Sequence, residues 1–279
     1  MVKVDIVLWS FDRASQVDLL LRSIKDKFKS AGDIYILYKY STEEFERSYQ
    51  LIYEKDYGLN IHWIRQDDFE YDTRYILGAL KTPCFLPLSD DDVFVNEVTV
   101  SDKIIDLLAG PEYNAFSLKS GLNITKHYPN FIVPQPRFDR IGTDLLSWTW
   151  QESERQHDWG YPTCVNCYVF NKQYYSGLIS GIKFDRPVTL EAELNLCVQK
   201  RIGIFKTKMM CYEKSSILNI PVNQVQSVVT NFFGEKYAAT TKELNDKFLN
   251  GERISVENIY GKEISSPNEE LPFIFEKVK

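Results

Sequence analysis

The sequence lacks several features that would assign it to familiar classes of protein. Its 279 residues contain no apolar run of the roughly 18 residues that a membrane-spanning helix needs. Residues 1–5 lack the apolar segment of a signal peptide. The chain has 33 Lys and Arg against 39 Asp and Glu, which gives a net charge of −6. This acidic balance argues against nucleic-acid binding, because a surface that binds nucleic acid needs clustered cations. We therefore expect a globular protein with no transmembrane segment and no nucleic-acid partner.

Glycine-rich phosphate loops and metal-binding cysteine pairs are also missing. Neither G-x-G-x-x-G nor G-x-x-x-x-G-K-[ST] occurs among the 13 glycines, which argues against a dinucleotide-binding fold or a P-loop enzyme. Cys164 and Cys167 have the C-x-x-C spacing, but the second pair of a zinc site is absent and the three histidines are scattered. We interpret the five cysteines as reduced thiols of a cytoplasmic protein.

The first 110 residues alternate between strand and helix patterns. Strands are predicted at residues 4–9, 33–40, 60–65 and 83–88, and helices at residues 15–30, 42–55 and 72–80. This order predicts an α/β fold with a Rossmann-like, mostly parallel central sheet flanked by helices. Later strands are predicted at residues 114–119, 166–170 and 206–212, and later helices at residues 96–109, 189–200, 218–232 and 240–249. We expect a main domain at residues 1–215 and a helical C-terminal extension at residues 216–279 packed on it.

Three adjacent carboxylates, Asp90, Asp91 and Asp92, directly follow the apolar run at residues 83–88. Open α/β sheets bind their ligands at the carboxyl ends of the strands. Like charges this close raise each other's proton affinity, and a divalent cation with oxygen ligands relieves the repulsion. No Lys or Arg between residues 82 and 101 neutralises them. We interpret the triplet as a metal site. Capping of a helix N-terminus is the alternative, although one Asp is enough for a cap.

The loop after the first strand, residues 9–16, is expected at the same edge of the sheet. Arg13 is suited to meet a diphosphate, and Ser10 and Phe11 are suited to border a nucleotide base. In the alternative interpretation the loop only caps the next helix and Arg13 is solvated. The loop and the triplet together predict a metal-bridged diphosphate at this edge.

Residues 4–13, residues 19–24 and the acidic triplet together resemble the GT-A class of nucleotide-sugar-dependent glycosyltransferases, of a family 2-like bacterial type. The resemblance is good over residues 4–95 and looser beyond. It implies a GT-A-like fold and a glycosyltransferase with Mn²⁺ or Mg²⁺ as cofactor. The enzyme would move a sugar, as in hexosyltransferases, from a UDP- or GDP-type donor to a hydroxyl of a glycan or polysaccharide precursor.

The resemblance also implies roles for single residues. Asp92 would ligate the metal and Asp90 would contact the ribose or the metal; because three acids allow two registers, Asp91 stays a candidate ligand. Asp68, near the end of the third strand, would lie beside the base. In inverting members a late acid at a helix start deprotonates the acceptor, and Glu191 has that position. Retaining members need no base, and Glu191 would then only offset the helix dipole.

The middle of the chain is aromatic and polar. Trp148, Trp150 and residues 157–162 suit a sugar acceptor, which stacks on rings and bonds to carboxylates, and Asp158 is a second candidate for the base. Alternatively, these rings pack the segment onto the sheet. Two other functions remain open. One is a non-catalytic nucleotide-sugar-binding protein, and the other is a sugar-phosphate nucleotidyltransferase, although the glycine-rich arginine loop of that class is missing.

Overall fold

The computed structural model describes residues 2–129, 131–154, 158–200, 206–225 and 233–278. The helices are α1 Ala14–Lys27, α2 Glu43–Tyr53, α3 Phe69–Ala79, α4 Asp102–Ala109, α5 Lys172–Ile179, α6 Pro187–Lys200 and α7 Thr241–Leu249. The strands are β1 Val4–Phe11, β2 Ala31–Lys39, β3 Ile61–Arg65, β4 Cys84–Ser89, β5 Asp92–Phe94, β6 Tyr113–Ser117, β7 Lys126–His127, β8 Phe131–Ile132, β9 Asp139–Ile141, β10 Leu145–Thr149, β11 Tyr168–Asn171, β12 Lys208–Tyr212, β13 Ile217–Asn219, β14 Glu252–Ile254 and β15 Phe275–Lys277.

A nine-stranded sheet in the order β3-β2-β1-β4-β11-β6-β12-β10-β9 forms the centre of the molecule. The first four of these strands are parallel to one another, with α1, α2 and α3 between them in the chain. Strand β11 is antiparallel to both of its neighbours, β4 and β6. The predicted α/β fold class is confirmed, and the sheet is mixed beyond β4.

The sheet is buried on both faces, which explains why its strands read as continuous apolar runs. Ile6 and Leu8 of β1 belong to one hydrophobic core, while Val7 and Trp9 belong to the other. Successive side chains of a strand point to opposite faces, so each strand supplies both cores. The edge where β1 and β4 end is thereby fixed from both sides.

Two predicted helices differ from the structure. The helix expected at residues 96–109 begins only at Asp102, because Val98 forms a bridge to Phe28 and its N–H donates to the carbonyl of Lys27. The helix expected at residues 218–232 is wrong over its described residues, since β13 pairs there with β5. Residues 226–232 of that prediction lie outside the described residues.

The C-terminal part joins the main sheet region through several contacts. Its described residues contain α7, which packs on α1 and α2, and the short strands β13, β14 and β15. The carboxylate of Glu270 accepts hydrogen bonds from the N–H groups of Glu235, Lys236 and Tyr237 and from the hydroxyl of Tyr128. The division after residue 215 stays a prediction. Across the described residues, no helix has the length and apolar character needed to cross a membrane.

Candidate active site

The acidic triplet lies at the carboxyl end of β4, where the sequence placed it. Asp90 and Asp91 form a tight turn, and Asp92 begins β5. Strand β1 lies beside β4, so the end of β1 reaches the same edge, and the N–H of Phe11 donates to Asp90 Oδ2 at 3.2 Å. The side chain of Asp91 is 15% exposed, whereas that of Asp90 is only 6% exposed. Asp91 is therefore the more accessible of the two.

Arg13 supplies the counter-charge that the neighbouring sequence lacks. Its Nη1 lies 2.8 Å from Asp90 Oδ1 and 3.2 Å from Asp91 Oδ2, and its Nη2 donates to the carbonyl oxygen of Asn223 at 2.6 Å. The guanidinium is buried, so the alternative of a solvated arginine is wrong. Both oxygens of Asp90 are thus bonded, one to Arg13 and one to Phe11. A contact between Arg13 and a diphosphate stays a prediction.

Asp92 is held by neutral donors. Its Oδ2 accepts the N–H of Ser89 at 2.7 Å, and its Oδ1 accepts Nδ2 of Asn219 at 2.9 Å and Nδ2 of Asn166 at 3.2 Å. The amide of Asn219 also lies 2.8 Å from Asp91 Oδ1. Burial raises the pKa of Asp92 to about 7, and the nearby charge of Asp91 adds to the shift. Among the described residues, no cationic side chain pairs with Asp92 as Arg13 does with Asp90.

The charge of the turn suits a cation, although the ligand count is small. Within the described part of the chain, Arg13 is the one cationic side chain paired with the three carboxylates. Those same residues contain no group of three or more His, Cys, Asp or Glu side chains arranged to hold a metal. Mg²⁺ on a diphosphate needs only one or two protein carboxylates, since phosphate oxygens and water complete its shell. Asp91 and Asp92, whose Oδ1 atoms converge on one amide nitrogen, fit such an ion.

A second polar cluster surrounds Lys119, in the segment after β6. Its buried Nζ lies 3.0 Å from Cys164 Sγ and 3.7 Å from Asp158 Oδ1. Asp158 Oδ2 lies 2.7 Å from His127 Nδ1. Burial opposes ionisation of Asp158, but His127 and Lys119 bring its pKa below the ordinary value. Asp158 is thus a fixed anion. The neighbouring His157 lies outside the described residues.

Glu191 reaches the same cluster from the first turns of α6. Its Oε2 accepts the N–H of Val165 at 2.9 Å, and the side chain of Tyr161 also hydrogen-bonds to it. Burial raises the pKa of Glu191 above its ordinary value. The carboxylate therefore bonds to the loop before β11 rather than only to the start of its own helix. The structure brings both candidate bases near Lys119.

Asn166 connects the two clusters, and the sequence did not indicate it. Its Oδ1 accepts from Cys164 Sγ at 2.8 Å and from Lys119 Nζ at 3.3 Å, while its Nδ2 donates to Asp92. Lys119 and Asn219 were missed as well. Asn166 lies between Cys164 and Cys167, whose thiols are buried and free as expected. The one sequence signal that could have indicated Asn166 is its position just before a strand.

The remaining predicted nucleotide contacts lie along the same edge. Ser10 Oγ is 2.6 Å from the hydroxyl of Tyr49, which leaves it buried. Asp68 is exposed at the end of β3 and caps α3 by accepting the N–H of Tyr71 at 2.8 Å. Strands β1 and β2 separate β3 from β4, so Asp68 lies further along the edge than the triplet. Its contact with a base, like that of Ser10, stays a prediction.

The aromatic middle of the chain is mostly core. Trp148 and Trp150 are each 1% exposed, and Trp148 donates its indole N–H to the carbonyl oxygen of Trp159. Their expected role as exposed stacking surfaces is therefore wrong, since the rings pack the segment onto the sheet. Tyr161 differs from these rings, because it is partly exposed and its side chain hydrogen-bonds to Glu191.

Comparison with known proteins gives one relative by sequence. The chain is 27% identical over 262 residues to the bifunctional glycosyltransferase pgtA of Dictyostelium discoideum. The resemblance to glycosyltransferases is confirmed at this level. The match covers 82% of this chain but only 33% of the relative, so the chain spans about a third of that protein. No protein-family model matches.

Solved structures that align with this chain include S. aureus TarS and a mannosyltransferase. S. aureus TarS 1-349 in complex with UDP aligns with a TM-score of 0.47 and 14% identity, covering 77% of this chain and 59% of TarS. The mannosyltransferase PcManGT of Pyrobaculum calidifontis, in complex with GDP-Man and Mn²⁺, aligns with a TM-score of 0.39 and 11% identity, covering 68% of this chain and 50% of PcManGT.

Proposed function

We propose that the protein is a metal-dependent glycosyltransferase. It moves a sugar from a UDP- or GDP-type nucleoside diphosphate sugar to a hydroxyl of a glycan or polysaccharide precursor. The observation that carries this proposal is the acidic turn at the carboxyl end of β4, where three carboxylates adjoin and Arg13 is the one cation, among the described residues, that pairs with them. The sequence similarity to a glycosyltransferase supports the same reaction class. The cytoplasmic location expected from the thiols remains part of this proposal.

The acidic turn is the donor end of the site. Asp91 and Asp92 would hold Mn²⁺ or Mg²⁺, which when bound supplies positive charge to the departing nucleoside diphosphate. Arg13 fixes Asp90, and Asp90 fixes the backbone of Phe11, so the loop after β1 has a set position against the turn. That loop would border the nucleoside. We thus move the predicted second metal ligand from Asp90 to Asp91, because the side chain of Asp91 is the more exposed of the two.

The cluster around Lys119 is the acceptor end. A general base must accept a proton at the working pH, so a raised pKa suits it and a lowered pKa does not. Glu191 meets this condition because burial raises its pKa, whereas His127 and Lys119 hold the pKa of Asp158 down. We assign Glu191 as the base that takes the acceptor's hydroxyl proton, and Asp158 as a hydrogen-bond acceptor for the sugar. A base on the acceptor implies inversion at the anomeric carbon.

Nucleotide binding with and without metal tests the donor end. UDP and GDP are titrated into the wild-type protein by calorimetry, each with Mn²⁺ or with a chelator. We expect binding that Mn²⁺ strengthens, and loss of that gain in Asp91→Asn and Asp92→Asn. Asp246→Asn is the matched control, because Asp246 is an exposed carboxylate on α7 that pairs only with Lys242 in the described contacts.

Turnover then separates an enzyme from a binding protein. Release of UDP or GDP from the matching nucleotide sugar, with water or a hydroxyl acceptor, is the expected result with Mn²⁺ present. Nucleotide-sugar binding without any release would instead indicate a non-catalytic binding protein. Absence of nucleotide binding, or binding that ignores Mn²⁺, would contradict the metal-dependent donor site.

A further inference from the structure

The side-chain amide of Asn166 has one orientation that satisfies its neighbours. Its Oδ1 faces two donors, Cys164 Sγ at 2.8 Å and Lys119 Nζ at 3.3 Å. Its Nδ2 donates to Asp92 Oδ1 at 3.2 Å, and the ammonium of Lys119 on the other side can only donate. Turning the amide over would set its NH₂ group against the two donors and its oxygen against the carboxylate. The surroundings therefore decide which way Asn166 points.

Lys119 is the strongest of the groups that orient this amide. An ammonium has three donors and no acceptor, so it always presents a proton to Oδ1. The side chain is held in place, because it is 5% exposed and its Nζ also lies 3.7 Å from Asp158 Oδ1 and 5.3 Å from the centre of the Tyr168 ring. Burial opposes its charge, but Cys164, Tyr168 and Asp158 keep the pKa of Lys119 above the ordinary value.

We infer that Asn166 is a positioning residue for Asp92, and that Lys119 acts on the donor site through Asn166. The inference rests on the proposed metal-dependent function. Groups that hydrogen-bond to a ligating carboxylate fix its direction, and their loss typically weakens metal binding by about 10–100-fold. Without Asn166, Oδ1 of Asp92 keeps the amide of Asn219 as a partner, so the carboxylate stays bonded but is less constrained.

Direct metal titration tests this role. Mn²⁺ is titrated by calorimetry into protein saturated with UDP, or with GDP if GDP binds more tightly. We expect Asn166→Leu to raise the dissociation constant of Mn²⁺ by about 10–100-fold while nucleotide affinity in chelator stays at the wild-type value. Asn245→Leu is the control, since Asn245 is a buried asparagine on α7 whose amide oxygen accepts from Ser48, and it should keep wild-type Mn²⁺ affinity.

A double-mutant cycle tests whether Lys119 acts through Asn166. Lys119→Met should also weaken Mn²⁺ binding, and Lys119→Arg, which keeps a cationic donor, should weaken it less. In the Asn166→Leu background Lys119→Met should add little, because coupled residues show non-additive effects. Additive losses would overturn the path from Lys119 through Asn166. If Asn166→Leu does not fold, Asn166→Ala takes its place in the cycle.

The outcomes separate this inference from the proposed function. Wild-type protein that binds Mn²⁺ with the nucleotide, together with an unchanged Asn166→Leu, overturns the positioning role and leaves the proposed function standing. Wild-type nucleotide binding that ignores Mn²⁺ overturns the metal-dependent function and this inference together.

Discussion

Replacing Glu191 by Gln removes the proposed base with little change in shape. A glutamine keeps a side-chain oxygen that can accept the N–H of Val165, so the loop before β11 retains its contact. A positioned general base typically contributes about 10²–10⁴-fold to the rate, which corresponds to about 3–5 kcal/mol in activation free energy. We therefore expect Glu191→Gln to lower kcat by that factor while the affinity for the nucleotide sugar is unchanged.

The pH dependence of Glu191 gives a second, independent signature. Burial raises its pKa above the ordinary 4.5, so wild-type kcat should fall as pH drops through this raised pKa, where the carboxylate becomes protonated. The Gln variant should lack this acidic limb. The free energy of unfolding also depends on the protonation of Glu191. A carboxyl whose folded pKa is raised contributes stability at low pH that is lost as pH rises through that pKa. The variant should lose less stability than wild type over this range.

Release of UDP or GDP from the nucleotide sugar, measured as initial rates from acidic to alkaline pH, is the assay. Glu193→Gln is the matched control, because residues two apart on a helix do not share a face and Glu193 should not reach the acceptor. Wild-type kcat and an unchanged acidic limb in Glu191→Gln would refute its assignment as the base. A comparable loss in Glu193→Gln would show that the effect is not specific to Glu191.

Three further changes test the structure around the site. Arg13→Met leaves Asp90 buried without its cation and should lower the free energy of unfolding by about 3–5 kcal/mol in urea titrations; an unchanged midpoint would mean the pair is not buried as described. Trp148→Ala should lower the free energy of unfolding by about 3–5 kcal/mol in the same titrations, because the ring is buried. A decrease of less than about 1 kcal/mol would contradict this burial. Burial opposes the charge of Glu270, but hydrogen bonds from Tyr128 and three backbone N–H groups hold its pKa below the ordinary value. The ionised Glu270 therefore stabilises the fold above pH about 4.5, and this stabilisation is lost as pH falls. Glu270→Gln should flatten this acid-side loss in thermal unfolding followed by circular dichroism; an equally steep loss would contradict the contact.

The parallel half of the sheet was predictable because its signals are local. Each strand from β1 to β4 contains an apolar run, and a helical pattern follows each of the first three. The order and direction of these strands then follow from right-handed crossovers and short connections. The acidic turn was predictable for the same reason, since Asp90 directly follows β4. Strand β11, in contrast, pairs with residues far away in the chain, in β4 and β6, and no local pattern encodes those partners.

The partners of the acidic turn were not predictable from their own segments. Arg13 lies 77 positions before Asp90, and Asn219 lies 127 positions after Asp92. Asn219 falls in a stretch that was predicted as a helix, but β13 pairs there with β5. Propensity is a weak guide where tertiary hydrogen bonds are available. Long-range partners therefore determine the electrostatics of a turn whose position is locally encoded.

The pairing of β13 with β5 has a consequence for how the protein is made. Domains of a nascent chain begin to fold while synthesis continues, at about 5–20 residues per second. The parallel strands β1 to β4 are complete early, yet Asn219 and the Asn223 carbonyl that receives Arg13 are synthesised 127 and 210 positions after their partners. A ribosome-bound chain with only the first half of the sequence thus carries the acidic turn without these closing contacts. The donor site is finished only when β13 adds its amide, so nucleotide binding should first arise after this strand has left the exit tunnel.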